Sequence, residues 1–258
     1  MRLLAGKRKR SFLSTRYLSI VGVALAAAAI FAFALNPAVA GATAASRKLP
    51  VYSVQRDGKY VSLTFDAAWG NEDTQQLIDI LGKYQVSATF FVVGDWAEKY
   101  PESVKALSDA GHEVMNHSSH HAHFNSLSTD AIIADLNEAS DKIEAVTGIR
   151  PTLFRCPYGE YDDHVIAAVE SIGVTAVQWD VDSLDWKDYD AKTIYARVTQ
   201  RVQPGSIVLF HNAALHTPEA LGDIIEHLIR EGYSIVPVSR LLLPGETTVD
   251  NAGRQHAA

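Results

Sequence analysis

Short β-branched and aromatic runs alternate with longer amphipathic stretches from residue 59 onward, and this alternation constrains the fold more than any other feature. The strand candidates are residues 60–65, 87–93, 112–116, 152–155, 174–179, 206–210 and 233–236. The helical stretches between them are residues 73–84, 101–110, 129–146, 162–172, 191–202 and 218–230. Such alternation predicts an α/β fold, a distorted (β/α) barrel of about seven parallel strands covered by helices.

Residues at the ends of these helical stretches agree with the pattern. Four glycines follow directly after a helical stretch, where a left-handed residue ends a helix: Gly111, Gly148, Gly173 and Gly232. Ser128 and Thr217 are predicted N-caps, the latter with Pro218 at the first helical position.

The chain begins with a membrane-targeting segment. Residues 18–35 are apolar and uncharged, and they follow a basic cluster at residues 7–16. A span needs about 20 apolar residues, so this run fits a signal peptide, cut after the A-x-A sequence at Ala38–Ala40, or an uncleaved signal-anchor helix. Both alternatives place the remainder outside the cytoplasm, secreted or anchored to the membrane. We therefore divide the chain into targeting residues 1–45, a linker at 46–58, one domain at 59–243 and a polar tail at 244–258.

The charge distribution excludes one class of partner. Residues 1–46 carry six basic and no acidic side chains, which leaves 17 Lys and Arg against 30 Asp and Glu, a formal charge of −13, for the remainder. A domain this acidic is unsuited to binding nucleic acid, which requires clustered cations against phosphates. The single cysteine excludes an intramolecular disulfide framework.

Ionisable residues lie at the carboxyl ends of five predicted strands, where the loops of a parallel α/β barrel form the ligand site. They are Asp66, His117, Arg155, the group Asp180, Asp182 and Asp185, and His211. A solvated loop explains one such residue, but it does not explain this many groups of complementary chemistry beside apolar runs. We expect these side chains to share one rim.

The types of side chain at this rim suggest metal-assisted hydrolysis. His117 and His121 are four residues apart, so on a helical turn both imidazoles would face one metal ion, although a chain with ten histidines also contains such pairs by accident. Asp66 is a candidate general base for a metal-bound water, oriented by Arg155. His211 is a candidate proton donor to a leaving group.

Five segments in order resemble the motifs of the polysaccharide deacetylases, the NodB-homology carbohydrate esterases. They are Thr64-Phe65-Asp66-Ala67, His117-Ser118-Ser119-His120-His121, Arg155-Cys156-Pro157-Tyr158-Gly159, Asp182-Ser183-Leu184-Asp185-Trp186 and Ile207-Val208-Leu209-Phe210-His211. The resemblance extends from about residue 61 to residue 243. It implies a distorted barrel that removes acetyl groups from an N-acetylated glycan, such as peptidoglycan or a chitooligosaccharide, with a divalent transition metal, usually zinc.

The resemblance also implies a role for each residue of the site. Asp66 is expected as the general base, positioned by Arg155, and His211 as the general acid, paired with Asp185. His117 and His121 are the implied metal ligands. The Tyr158 backbone amide is implied as an oxyanion donor, and Trp186 and Leu209 are implied as walls of the acetyl pocket, with plain core packing as the alternative.

Ala67 is a departure from the family pattern, which has a second Asp there as the third metal ligand. A group within the family, the PdaB-type sporulation-associated deacetylases, resembles this chain in having a small residue followed by a Trp-Gly pair, here Trp69 and Gly70. Two alternatives follow from Ala67: a site completed by water, Glu72 or Asp73, and a catalytically weak glycan-binding or spore-morphogenesis protein. An O-acetyl esterase is a further alternative, because the resemblance implies machinery shared between esters and amides. Glu72 and Asp73 also suit the charge preference of a helix N-terminus.

Two further residues beside the motifs have ambiguous roles. Cys156 lies within the third motif, where we expect a buried space-filler in preference to a reactive thiol. Asp180 either joins the rim network or caps the loop that follows its strand.

Overall fold

The polypeptide alternates strands and helices along a curled sheet, and the computed structural model describes residues 47–258 of it. The strands are β1 Ser53–Val54, β2 Tyr60–Ala67, β3 Thr89–Val92, β4 Glu113–Asn116, β5 Leu153–Phe154, β6 Thr175–Ala176, β7 Val181–Asp182, β8 Ser206–His211, β9 Ser234–Ile235, β10 Thr247–Val249 and β11 Arg254–Ala257. The α-helices are α1 Thr74–Lys83, α2 Gly94–Lys99, α3 Pro101–Asp109, α4 Thr129–Thr147, α5 Asp163–Ser171, α6 Ala191–Thr199, α7 Thr217–Arg230 and α8 Val238–Leu241. All seven predicted strands and all six predicted helical stretches therefore correspond to observed elements.

The sheet runs in the order β10-β11-β1-β8-β2-β3-β4-β5-β6, with β7 paired to β8 and β9 to β2. The central pairs are parallel, whereas β1 pairs antiparallel with β8, and β10 with β11. A parallel bridge joins Val51, which precedes β1, to Val177, which follows β6, and so closes the curl of the sheet. The predicted distorted α/β barrel is confirmed as a curled, mixed sheet.

Two segment predictions need correction. Residues 244–258, predicted as a polar tail, form β10 and β11, and the linker at 46–58 contains β1, which pairs parallel with β11. The pairing of β1 with β11 joins positions about 200 residues apart, so no local periodicity predicts it. Lys48–Ala258 accordingly form one compact unit.

The period-two pattern of β2 separates the site from the helix-facing core. Leu63, Phe65 and Ala67 belong to the buried cluster that packs against the helices. Thr64 and Asp66 point the other way, where the Thr64 hydroxyl donates to the Val208 carbonyl at 2.6 Å. One strand therefore delivers Asp66 to the barrel interior while Ala67 faces the helix layer.

The predicted helix ends are confirmed in part. Ser128 caps α4, since its side chain accepts from the Ala131 amide, and Gly148 ends that helix with a φ of 73°. Thr217 is different, because α7 begins at this residue and its hydroxyl is used elsewhere.

The predicted targeting segment, residues 1–45, lies outside the described residues. None of the helices within residues 47–258 combines the length and apolar character that a membrane crossing requires.

Candidate active site

A cavity of about 430 Å³ opens at the carboxyl ends of the central strands. Seven of the residues predicted for the site line it: Asp66, His117, His121, Tyr158, Trp186, Leu209 and His211. Arg155 and Asp185 are fully buried directly behind it, each bonded to a lining residue. The structure therefore brings together all nine residues that the sequence singled out.

Strand register fixes the centre of the cavity. Asp66 on β2 lies directly opposite His211 on β8, and Thr64 lies opposite Leu209. In a parallel ladder such neighbours project to the same face. A carboxylate and an imidazole thus stand side by side at the carboxyl ends of two adjacent strands.

Asp66 is held as an anion by a buried ion pair. Arg155 Nη1 donates to Asp66 Oδ1 at 2.7 Å, and the guanidinium lies 4.1 Å from the centre of the Phe91 ring. Burial alone would raise the pKa of Asp66, but nearby positive charge, above all that of Arg155, outweighs burial and holds the pKa below its ordinary value. The second oxygen, Oδ2, is directed to His117 Nε2 at 3.5 Å.

The surroundings of His211 favour its protonated form, whereas those of Asp66 favour the deprotonated form. Burial lowers its pKa, but the hydrogen bond from Nδ1 to Asp185 Oδ1 at 2.8 Å and the charges of Asp185 and Asp66 raise the pKa above 6.5. Asp185 Oδ2 also accepts from the His211 amide at 2.8 Å and from the Thr217 hydroxyl at 2.6 Å. The raised pKa favours the imidazolium form, and the hydrogen bonds fix the orientation of the ring.

Thr217 is a site residue that sequence reasoning missed. We predicted it as a helix cap, yet it is fully buried and its hydroxyl bonds to Asp185. Its position on α7, 32 residues after Asp185, carries no local indication of this contact. The Thr-Pro pair reads as a helix start in any sequence, so only the packed structure distinguishes the two uses.

The histidine pair converges through a loop and not through the predicted helical turn. Ser118 and His121 have φ values of 72° and 53°, which no helix accommodates. The Ser118 hydroxyl accepts from the His121 amide, and the Asp135 carboxylate accepts from the Ser119 amide. These bonds bend the loop so that the rings of His117 and His121 lie 5.0 Å apart between centroids.

The pKa shifts of both imidazoles favour the neutral form, which a metal ligand requires. Burial is the main cause that lowers the pKa of each, and it lowers the pKa of His121 to about 4. His117 Nδ1 faces the Arg155 carbonyl at 2.8 Å, which only accepts, so Nδ1 carries the proton and the Nε2 lone pair faces the cavity.

These donors fit a divalent transition ion, but they supply two ligands. Ala67, at the position of the family's third ligand, is buried in the helix-side cluster. Within residues 47–258 no group of three or more His, Cys, Asp or Glu side chains is arranged to hold a metal. A three-ligand protein site of the usual catalytic type is therefore not formed by the described residues.

Tyr158 is held in a conformation that favours glycine, with a φ of 59°. Its ring stacks on His123 at 4.4 Å and meets the edge of His121 at 4.5 Å. The next residue, Gly159, also has a positive φ, and a Cβ there would approach the Trp179 ring to 3.0 Å. This turn places Tyr158 in the cavity wall.

Of the remaining candidates, Asp182 lines the cavity, whereas Asp180, Asp73 and Cys156 do not. Asp180 accepts from the Ser206 hydroxyl and the Ile207 amide, so it secures the start of β8. Asp73 lies at the N-terminus of α1 without capping it, and its carboxylate accepts from the Ala213 amide. Cys156 is 1% exposed, and burial raises the pKa of its thiol to about 12, which is the chemistry of a space-filler.

Comparisons with known proteins agree with this geometry. The polysaccharide deacetylase family model matches residues 53–177. Peptidoglycan-N-acetylmuramic acid deacetylase PdaC of Bacillus subtilis is 37% identical over 189 residues, 73% of this chain but only 40% of PdaC. A second peptidoglycan-N-acetylmuramic acid deacetylase of the same organism, PdaA, is 32% identical over 192 residues, 73% of each chain.

A solved structure adds an important comparison. BA3943, described as a CE4 family pseudoenzyme from Bacillus anthracis, aligns with a TM-score of 0.72 and 35% identity, over 74% of this chain and 68% of that one. A BA3943 mutant described as having restored enzymatic activity aligns equally well, at 36% identity, over 74% of this chain and 70% of that one. On these matches, the chain belongs to the polysaccharide deacetylase family of carbohydrate esterases.

Proposed function

We propose that this protein hydrolyses the N-acetyl group of an amino-sugar unit in a bacterial cell-wall glycan. The observation that carries the proposal is the pair of Asp66 and His211 on adjacent strands, one held ionised and the other held protonated. Two titratable groups with pKa values pushed apart in one cavity are suited to act as base and acid.

Asp66 is the general base in this proposal. Its Oδ1 is occupied by Arg155, so Oδ2 is the oxygen that accepts a proton from the attacking water. The hydroxide formed adds to the acetamide carbonyl carbon, and the carbonyl oxygen takes the negative charge. The Tyr158 amide is proposed to donate to that oxygen, and such a donor contributes about 3 kcal/mol to transition-state stabilisation.

His211 is the general acid. Nδ1 is bonded to Asp185, so the proton on Nε2 is the one transferred to the amide nitrogen as the carbon–nitrogen bond breaks. The products are acetate and a free amino sugar. Leu209 and Trp186 line the cavity with apolar surface suited to the acetyl methyl group.

We further propose His117 and His121 as the ligands of a divalent ion, zinc by the chemistry of two imidazole nitrogens. When bound, such an ion polarises a carbonyl or a water molecule. Because Ala67 offers no carboxylate, we expect the ion to bind weakly.

The relatives support peptidoglycan as the substrate class, because PdaC and PdaA are named as deacetylases of its N-acetylmuramic acid. A cell-wall substrate also suits the export segment predicted for residues 1–45, with the domain outside the cytoplasm. The chain spans well under half of PdaC, so the substrate and the location stay proposals.

A second candidate function is favoured by Ala67 and by the similarity to BA3943. In this alternative the chain is a catalytically weak glycan-binding protein that retains the barrel. Zinc titration and acetate release by wild type separate the two. A competent site binds zinc and releases acetate above the level of Asp66→Asn, whereas the weak glycan-binding protein releases no acetate above that level.

The direct test is acetate release from peptidoglycan and from the N-acetylglucosamine tetramer, with zinc present and absent. We expect release by wild type and by Asp190→Asn, a control that removes an exposed helix-capping carboxylate, but none by Asp66→Asn. Failure of wild type to exceed Asp66→Asn with every substrate would refute the proposal. An acetylated xylan, included as an ester substrate, tests O-deacetylation in the same assay.

A further inference from the structure

The loop that follows β2 is held rigidly from behind by a buried side chain. Asn212, adjacent to His211, is 4% exposed. Its Oδ1 accepts from the Ala68 amide at 3.1 Å, and its Nδ2 donates to the carbonyls of Trp69 and Gly70. The indole of Trp96 donates to the same Gly70 carbonyl at 2.8 Å. Three consecutive residues of this loop thus have their backbone fixed by side chains from the protein interior.

This fixed loop presents a large apolar side chain to solvent. Trp69 is 58% exposed, and the interior contact of its ring is an edge-to-face approach to His121, with centroids 5.5 Å apart. An exposed indole on a fixed backbone does not stabilise the fold, because its apolar surface stays in water and the loop has lost conformational entropy. Large apolar surface kept exposed in this way marks a binding surface.

Trp69 lines the same cavity as the proposed catalytic pair. Two other aromatic residues of the cavity wall are also more than half exposed, Tyr158 at 60% and Trp186 at 56%. The proposed reacting groups Asp66 and His211 line the cavity, so the acetamide-bearing sugar is placed against them. The exposed aromatic faces of the cavity wall are then available to the sugar units that continue the chain.

We propose that Trp69 is the stacking platform of a second sugar subsite, which makes the protein selective for a glycan of two or more units. A pyranose presents a face of C–H groups with hydroxyls at its edge, and an exposed indole offers a matching apolar face. The inference rests on the proposed function, since it takes a glycan as the ligand. It adds a specificity residue that lies outside the acid, base and metal-ligand set.

The test measures binding and not turnover. Calorimetric titrations use the N-acetylglucosamine tetramer and the single sugar, with the full chain carrying His211→Ala to prevent hydrolysis. In that background we expect Trp69→Ala to weaken tetramer binding about fivefold to tenfold, the range of an aromatic contact, and to leave single-sugar binding unchanged. Trp69→Phe should retain most of the tetramer affinity.

Tyr189→Ala is the matched control, an aromatic side chain 37% exposed and not part of the cavity wall, and it should bind the tetramer as the parent does. Three outcomes would each overturn the proposal. Trp69→Ala could bind the tetramer as tightly as the parent does, Trp69→Ala could lose as much single-sugar affinity as tetramer affinity, or the parent could fail to bind the tetramer. Trp69-dependent binding by a wild-type protein that releases no acetate would support the subsite while refuting the hydrolytic function.

Discussion

Replacing Asp185 with Asn removes the charge that keeps His211 protonated while changing little of its shape. Asp185 is fully buried and accepts from His211 Nδ1, from the His211 amide and from the Thr217 hydroxyl, all at 2.6–2.8 Å. Burial lowers the pKa of His211, and the hydrogen bond to Asp185 and the charge of its carboxylate are the largest effects that raise it. The substitution removes the main effect that raises the pKa of His211, so burial then lowers that pKa.

The magnitude follows from the geometry. Two unit charges about 4 Å apart interact by about 4 kcal/mol at an effective dielectric constant of 20, and opposite charges at this distance shift a pKa by roughly one to three units. His211 acts while protonated, so activity falls as pH rises through its pKa. A lowered pKa brings that fall to more acid conditions, and we expect the alkaline limb of kcat/KM to move by about one to two pH units.

The assay is acetate release from the N-acetylglucosamine tetramer between pH 5 and 10. Asp182→Asn is the matched control, since Asp182 also lines the cavity but is a minor cause of the His211 pKa. We expect its alkaline limb to move much less. An alkaline limb that stays in place in Asp185→Asn, in protein with a wild-type melting profile, would refute the assignment of His211 as the acid.

Three further predictions test other parts of the structure. Thr217→Val removes the hydroxyl bonded to Asp185, so steady-state kinetics should show kcat reduced about fivefold with KM unchanged; an unchanged kcat contradicts this positioning role. His112 is buried and its pKa is lowered to about 4, so the unfolded chain binds its proton first and stability falls as pH drops from about 6.5 towards 4; melting temperatures of His112→Gln should fall less steeply, and parallel slopes would contradict this. Cys156 should resist iodoacetamide at pH 8 in folded protein and react once guanidinium unfolds it, whereas rapid labelling of the native protein would show that the thiol is accessible.

Much of the fold and site could be predicted because the relevant patterns are local. The alternation of strand and helix periods along β2, α1 and β3 gave the parallel core, and the ends of parallel strands share one edge by geometry. Asp66 and His211 could thus be assigned to one rim before any coordinates. Gly148 ends α4 in the left-handed conformation, as its place after the helical period indicated.

Other features escaped prediction because they depend on distant pairing. The strand β11 joins the sheet through the edge of β1, about 200 residues earlier, and β10 pairs with β11 in turn, so no residue within 244–258 encodes that edge. His117 and His121 meet through a loop fixed by Asp135 on α4. The i, i+4 spacing therefore predicted the correct pair, but the helical turn on which that prediction relied is absent between these two residues.

The sequence by itself determined the order of elements, the acidic character of the domain and the chemical types gathered at the rim, since each follows from local pattern or from counting. Tertiary structure alone decided which of those groups are charged. Asp66 and His211 have opposite protonation preferences because burial, Arg155 and Asp185 act on them across gaps of 26 to 89 residues. Electrostatic energies depend on distance and solvent exposure, and neither quantity is written along the chain.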